Sequence, residues 1–311
     1  MEQAAFFTRP RVVFALASLC CLLWGSAYSA IKTGYSLLAI ERGDVAAQLL
    51  FAGLRFVLAG GLLLAFTALR GKPIGRMART HGLQLAALGV AQTTLQYLFF
   101  YVGLAHTTGV KASILGAVNV FFSVLVAHWL HADDRLTRRT ALGCAVGFGG
   151  VLLVNLGALS VQPGAATGSG FSLLGEGFVV ISALAGTLAA FYGKRLSQHM
   201  DAVVMTGYQL GLGGVVLLAL GAAGGGALHA FSAASLALLF YLAGLSAAAF
   251  AIWGVLLKYN RVSAVSIFSF LVPIFGASLS ALFLGESLLE WKYLLALLLV
   301  SLGIWWVSQD R

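Results

Sequence analysis

Residues 101–130 read YVGLAHTTGVKASILGAVNVFFSVLVAHWL: an apolar run, a short polar break, and a second apolar run that continues to Leu130. Residues 256–284, LLKYNRVSAVSIFSFLVPIFGASLSALFL, carry the same break followed by an apolar helix, with Asn119 opposite Pro273, close to half the chain length further on. A helix needs about 20 largely apolar residues to cross a bilayer. The chain therefore reads as two related halves whose elements are membrane-crossing helices.

Composition extends that reading to the whole chain. Of 311 residues, 60% are hydrophobic and 9% charged, with a mean hydropathy of +0.95, against about 45–50% apolar and about 25% charged in an ordinary soluble domain. So little charge cannot solvate the surface, which excludes a water-soluble single domain. Thirty-eight glycines beside four prolines fit helices in close contact. Spans are expected at about 12–35, 46–69, 82–104, 111–131, 140–158, 172–192, 202–222, 234–256, 263–284 and 292–308. Arg9 and Arg11 before the first apolar run imitate a signal peptide, but nine further spans make it a retained helix. Cys20, Cys21 and Cys144 lie inside apolar runs without metal or pairing spacing, and read as small buried hydrophobes.

A net charge of +9 would hint at nucleic acid in a soluble protein, but basic residues also set membrane orientation. With the N-terminus inside, fourteen of the nineteen Lys and Arg fall on cytoplasmic segments, in groups around Arg9, Arg76, Arg138, Lys194 and Lys258 and at Arg311. The other five are Lys32, Arg42, Arg55, Lys111 and Lys292. Ten helices with both termini cytoplasmic satisfy the positive-inside rule, and nucleic acid is not an expected partner. The halves, residues 1–160 and 161–311, hold five helices each. Five is odd, so they insert in opposite orientation as an inverted repeat, the architecture of transporters that rock two half-proteins about a midplane site. The fold class is an all-α polytopic membrane protein.

Several short motifs now stand in order: Trp24-Gly25-Ser26 and Lys32, Arg55-Phe56, the run from Ala248 through Trp253 to Ser263-Ala264, Phe270-Leu271-Val272-Pro273-Ile274-Phe275, and Leu284-Gly285-Glu286. Together they resemble the drug/metabolite transporter superfamily, in its EamA-type branch of ten-helix bacterial inner-membrane exporters, over essentially the whole chain. Three places depart from the family pattern. Asn119 stands where the family usually has the proline retained at Pro273, Leu130-His131-Ala132-Asp133-Asp134-Arg135-Leu136 replaces a compact Leu-Gly-Glu-Arg-Leu, and Gly186 falls roughly where the first half has Trp24. The resemblance implies export of amino acids and related small metabolites across the bacterial cytoplasmic membrane, through a central cavity and by alternating access. Quaternary amines, nucleosides and drug-like solutes are the alternative cargoes. No cofactor is expected, and the oligomeric state is not encoded in any motif.

Ionisable residues within spans are expensive and face protein or a wet cavity, which singles out Lys32 and Arg55. Arg55 lies about nine residues into its span, roughly 14 Å along the axis, too deep for easy snorkelling. Either residue attracts a substrate carboxylate or forms part of an outer gate, or it is an anchor paired with Glu41, Asp44 or backbone carbonyls. Lys32 can also reach the outer interface. Gln92 and Gln96 share a helix face, with Tyr97 and Tyr101 on an adjacent one; they can bind a zwitterion or join helices. Trp24, Tyr28, Asn119 and His128 with Tyr208, Gln209, Ser246 and Trp253 complete a polar and aromatic lining, each aromatic having packing or the interfacial belt as its other use. Pro273 is expected to kink or hinge its helix. Glu176 reads as an acid favoured by the start of its helix. No acidic relay lies inside the spans, which favours a facilitator or an exporter coupled through few titratable groups.

Enzymatic alternatives find no support. Asp133-Asp134 lacks a second acidic cluster for a magnesium diphosphate, no histidine follows Ser246, and neither His-Glu-x-x-His nor a phosphate-binding loop occurs. A scaffold would use Gly143-x-x-x-Gly147 and Gly207-x-x-x-Gly211 as association faces, although ten packed helices need such small residues too.

Overall fold

A computed structural model describes residues 2–130, 137–154, 171–229, 231–260, 265, 267–287 and 290–309. Among these the regular structure is entirely helical. A short α1 (Glu2–Phe7) precedes α2 (Pro10–Leu37), which opens on proline, where a missing N–H costs no helical bond. Asp44 caps α3 (Val45–Leu69), accepting from Ala47 N at 2.8 Å. The next segment is composite: α4 (Ile74–Leu88), a π-helical stretch (Gly89–Leu95) and α5 (Gln96–His106). Thereafter come α6 (Gly109–Gly116) and α7 (Val118–Leu130), interrupted at Ala117, and α8 (Arg138–Val154). A π turn (Leu173–Gly177) leads into α9 (Phe178–Ser197), followed by α10 (Ala202–Ala223) and α11 (Ala233–Tyr259). A 3-10 turn (Ile267–Phe270) runs into α12 (Leu271–Leu284), and α13 (Trp291–Gln309) closes the described chain.

Seven of these segments are long and apolar enough to cross a membrane: Pro10–Leu37, Val45–Leu69, Ile74–His106, Gly109–Val126, Leu173–Ser197, Ala202–Ala223 and Ala233–Tyr259. Three further apolar helices, Ala141–Gly150, Leu271–Leu284 and Trp291–Gly303, are shorter. Large apolar side chains such as Leu62, Phe66, Leu125, Phe240 and Leu298 point outward, while Ile31, Phe51, Phe56, Ile114 and Leu210 are fully buried. Such an exterior belongs in lipid rather than in water. Asp133-Asp134, Ser263-Ala264 and the boundary at 160/161 lie outside the described residues, as does the side chain of His128.

Helix α3 packs on α10 and α8 on α13; α2 meets α11 and α12, and α9 meets α5 and α7. Glycine permits both the α3–α10 and the α8–α13 approach. A Cβ on Gly60 would land on the Gly211 backbone, and one on Gly53 would lie 2.7 Å from Leu218 N. A Cβ on Gly303 would lie 2.7 Å from Gly147 N, at the α8–α13 contact. Both Gly-x-x-x-Gly motifs are thus occupied within the chain. At the loop between α9 and α10, Asp201 accepts from Val203 N and Val204 N at 3.0 and 3.1 Å and pairs with Lys72. Burial alone would raise its pKa, but Lys72 and the two amides outweigh it and hold the carboxyl below its ordinary value.

The α3–α10 contact fixes a first prediction. Gly60→Leu forces a side chain into backbone, and overpacking of this kind costs about 1–3 kcal/mol or more. The detergent-solubilised variant is expected to unfold several degrees below the parent, with Gly61→Leu, which has open space around it, as the neutral comparison. Equal melting of Gly60→Leu and the parent contradicts the packing.

Candidate functional site

A cavity of about 240 Å³ opens between the two halves. From the first half it is lined by Trp24 and Tyr28 on α2, Arg55 on α3, Gln92 in the π-helical stretch, Gln96 and Tyr97 on α5 and Asn119 on α7. The second half contributes Gly186 and Lys194 on α9, Gln209 on α10, Phe250 and Trp253 on α11 and Val272 on α12. The aromatic wall is built from edge-on pairs: Trp24 with Trp253 at 4.9 Å between centroids, Trp24 with Phe250 at 5.6 Å, and Tyr28 with Phe100 at 5.4 Å.

Arg55 is only 1% exposed, and no carboxylate pairs with it among the described residues. Its Nε donates to Ser246 Oγ at 2.7 Å and its Nη1 to Tyr101 Oη at 3.2 Å. The guanidinium also lies 4.9 Å from the Phe56 ring and 5.9 Å from the Tyr97 ring, within cation–π range. Two of its five N–H groups are thereby used. Gly186 makes room for the amide of Gln96: a Cβ there would stand 2.6 Å from Gln96 Cδ. Thr187 donates to Asn119 Oδ1 and ties α7 to α9.

A second polar cluster closes one end of the bundle, beyond the cavity lining. Lys32 Nζ donates to the Thr107 carbonyl at 2.6 Å and lies 4.0 Å from Glu286. Glu286 in turn accepts from Gly109 N and Val110 N, both at 2.9 Å, and so caps α6. The positive φ of Gly285, +64°, turns the chain back after α12 and brings the carboxylate there. Alongside, buried Glu176 accepts from Thr107 Oγ1 at 2.7 Å, from Ser172 N at 2.8 Å and from Lys111 Nζ at 3.4 Å.

Nine of the sequence-derived candidates line the cavity: Trp24, Tyr28, Arg55, Gln92, Gln96, Tyr97, Asn119, Gln209 and Trp253. Tyr101 and Ser246 stand behind the wall as partners of Arg55. Lys32 belongs to the closed end rather than to the cavity lining. Tyr208 donates to Ile74 O at 3.1 Å and packs by Leu85 and Leu88, away from the cavity. The expected pairing of Arg55 with Glu41, Asp44 or carbonyls is replaced by two hydroxyls, and Glu176 is a buried ion-pair partner as well as a helix-start acid. Around Pro273 the chain passes from a 3-10 turn to α12 between Phe270 and Leu271, two residues before the proline, just as Ala117 interrupts the first half two residues before Asn119. Lys194 and Ser182 also line the cavity; a basic residue near a cytoplasmic helix end and a small hydroxyl carry no lining signal in the sequence.

The profile of the EamA-like transporter family matches residues 12–156 and 173–309. An uncharacterized transporter of Archaeoglobus fulgidus is 27% identical over 274 residues, 87% of this chain and 89% of that protein. The uncharacterized transporter YvbV of Bacillus subtilis is 29% identical over 248 residues, 77% of this chain and 76% of that protein. A crystal structure superposes with a TM-score of 0.69 over 96% of each chain at 17% identity, which shows likeness of fold.

The closed end generates the second prediction. Glu176→Gln leaves the Lys111 ammonium, 5% exposed, without its carboxylate, and breaking a buried pair from one side costs about 3 kcal/mol or more. Adding Lys111→Met is expected to restore most of the loss, as read by thermal unfolding in detergent. A Glu176→Gln variant that melts with the parent disproves the pairing.

Proposed function

The chain belongs to the EamA-like transporter family, and on that premise we propose that this multi-pass membrane protein exports small metabolites, amino acids and related compounds foremost, by alternating access. The observation that carries the proposal is a cavity lined by both halves and stopped at one end by a polar cluster that both halves also build. Lys32, Thr107 and Lys111 come from the first half; Glu176 and Glu286 come from the second. In the orientation set by the basic loops, that closed end faces outward.

Ten helices in two inverted five-helix repeats are supported by the packing. Exchanging the halves turns the α2–α12 contact into α9–α7, and the α2–α11 contact into α9–α5, while α3–α10 and α8–α13 map onto themselves. Two interlocked halves of this kind can rock about a midplane site. We place both termini on the cytoplasmic side of a bacterial inner membrane. The residues assigned to the substrate are Trp24, Tyr28, Arg55, Gln92, Gln96, Asn119 and Trp253, with Tyr101 and Ser246 holding Arg55 in place. Lys32 serves the outer gate. The aromatic wall would also suit a quaternary amine, but two cations on that wall, Arg55 and Lys194, oppose it.

Two outcomes test this reading in proteoliposomes loaded with a panel of amino acids, amines and nucleosides. Arg55→Ala is expected to abolish flux of carboxylate-bearing solutes while the protein still reaches the membrane; normal flux returns Arg55 to a structural role. Among the described residues the lining contains no Asp or Glu, so flux is expected not to accelerate when a pH gradient is imposed. Robust acceleration by the gradient would instead implicate Glu176 or His128.

A further inference from the structure

Among the described residues the charged side chains of the cavity wall have one sign. Arg55 and Lys194 are the ionised side chains of the lining, and no carboxylate offsets either one among the described residues. Two buried donors on lining residues, Trp24 Nε1 and Gln209 Nε2, have no hydrogen-bond partner. A buried donor without a partner is costly, and each of these is satisfied by a ligand that brings acceptors. The remaining N–H groups of Arg55 belong to a guanidinium whose orientation is already fixed by Ser246 and Tyr101. That is a planar donor fork suited to a carboxylate.

From this we infer that, among the amino acids and related compounds of the transport reading, the cavity selects the related carboxylates over the amino acids themselves: the cargo is a small organic anion with an aromatic or apolar body and no accompanying ammonium, its carboxylate received by Arg55. That such an anion is cargo rests on the transport reading; its binding does not. An α-ammonium would be carried one carbon away from a carboxylate held by Arg55. It would lie beside the guanidinium, where the wall offers amide oxygens and ring faces but no negative charge. The aromatic pairs of Trp24 with Trp253 and Phe250 supply a flat apolar surface for a ring. At about 240 Å³ the cavity is smaller than the usual range of about 300–1,000 Å³ for drug-sized ligands, so it suits one small ring compound.

Lys194 acts differently. Its neighbour Gly193 faces Leu88 and Gln92, whereas Arg55 reaches Tyr101. Lys194 lies toward the end of α9, beside the part of the lining that Gln92 contributes. Lys194 raises the local concentration of anions toward its own end of the cavity, and Arg55 holds them.

The test uses three compounds on one skeleton, 3-phenylpropionate, phenylalanine and phenethylamine, which are anion, zwitterion and cation at neutral pH. Binding to the purified full-length protein in detergent is read by calorimetry and by thermal shift. Phenylpropionate is expected to bind at least tenfold more tightly than phenylalanine, with no binding by phenethylamine. Trp24→Phe, which keeps a ring and removes the indole N–H, is expected to weaken phenylpropionate severalfold while the ligand-free protein melts near the parent temperature. Equal or tighter binding of phenylalanine overturns the inference, as does absence of phenylpropionate binding at millimolar concentration. A protein that binds phenylpropionate but moves no solute in liposomes upholds the anion site and refutes transport; one that moves phenylalanine and ignores phenylpropionate does the reverse.

Discussion

A guanidinium deep in a membrane helix has to be held by protein, because hydrocarbon offers it neither acceptors nor water. Arg55 heads the fully buried side chains by size, and the surrounding helices are arranged around that demand. Ser246 on α11 and Tyr101 on α5 reach it from two sides. Tyr35 on α2 donates to the Tyr101 carbonyl at 2.8 Å and binds a third helix to the same point. None of these partners carries a charge. The guanidinium is therefore positioned without being neutralised, and its positive charge is left to act on the cavity. Holding it with a buried carboxylate would have anchored the helix equally well and cancelled the charge.

The closed end solves a different problem, the amide groups exposed where one span ends and the next begins. The first N–H groups of α6 have no partner within the helix. Glu286 takes those of Gly109 and Val110, and Thr108 Oγ1 takes that of Lys111 at 3.1 Å. Glu286 follows α12 in the other half of the chain, so satisfying a helix start and closing the bundle are one act. Lys32 and Lys111 then offset the two carboxylates that this arrangement buries. The Leu284-Gly285-Glu286 motif has a mechanical reading on these terms: the helix ends, glycine adopts the left-handed conformation at +64°, and the acid swings back to the neighbouring helix start.

How much of this could be read from the sequence follows from what each feature requires. Hydropathy and depth are local, so the membrane helices and the burial of Arg55 were legible. Helix phase was legible for Gln92 and Gln96, which both line the cavity although the first lies in the π-helical stretch Gly89–Leu95; it did not separate Tyr97, which lines the cavity, from Tyr101, one turn on along regular α5, which stands behind as a partner of Arg55. Tyr208 looked like a lining residue by type, but its hydroxyl found a carbonyl on α4. Partners distant in sequence were not legible at all: Lys111 with Glu176, and Lys32 with Glu286, become visible only when helices are placed. Gly186, which looked like a departure from the first half's Trp24, is a requirement once Gln96 occupies its space.

The two kinds of contact also separate what can move from what cannot. Along α3–α10, backbone lies against backbone at Gly53, Gly60, Gly214 and Gly221, and any sliding there would open voids over four turns, each losing dispersion that nothing replaces. The closed end instead holds through a handful of hydrogen bonds to charged groups, each worth about 1.5–3 kcal/mol net and partly recoverable by water once opened. Four of them join the halves, those from Gly109 and Val110 to Glu286 and from Thr107 and Lys111 to Glu176, about 6–12 kcal/mol together, the same order as or above the 5.5 kcal/mol or so that inverts a two-state population from about 1:99 to 99:1. The glycine contacts of α3–α10 and α8–α13 therefore resist displacement over their whole length, whereas the closed end is held at a few points, Lys32, Lys111, Glu176 and Glu286, whose polar groups water can serve in turn.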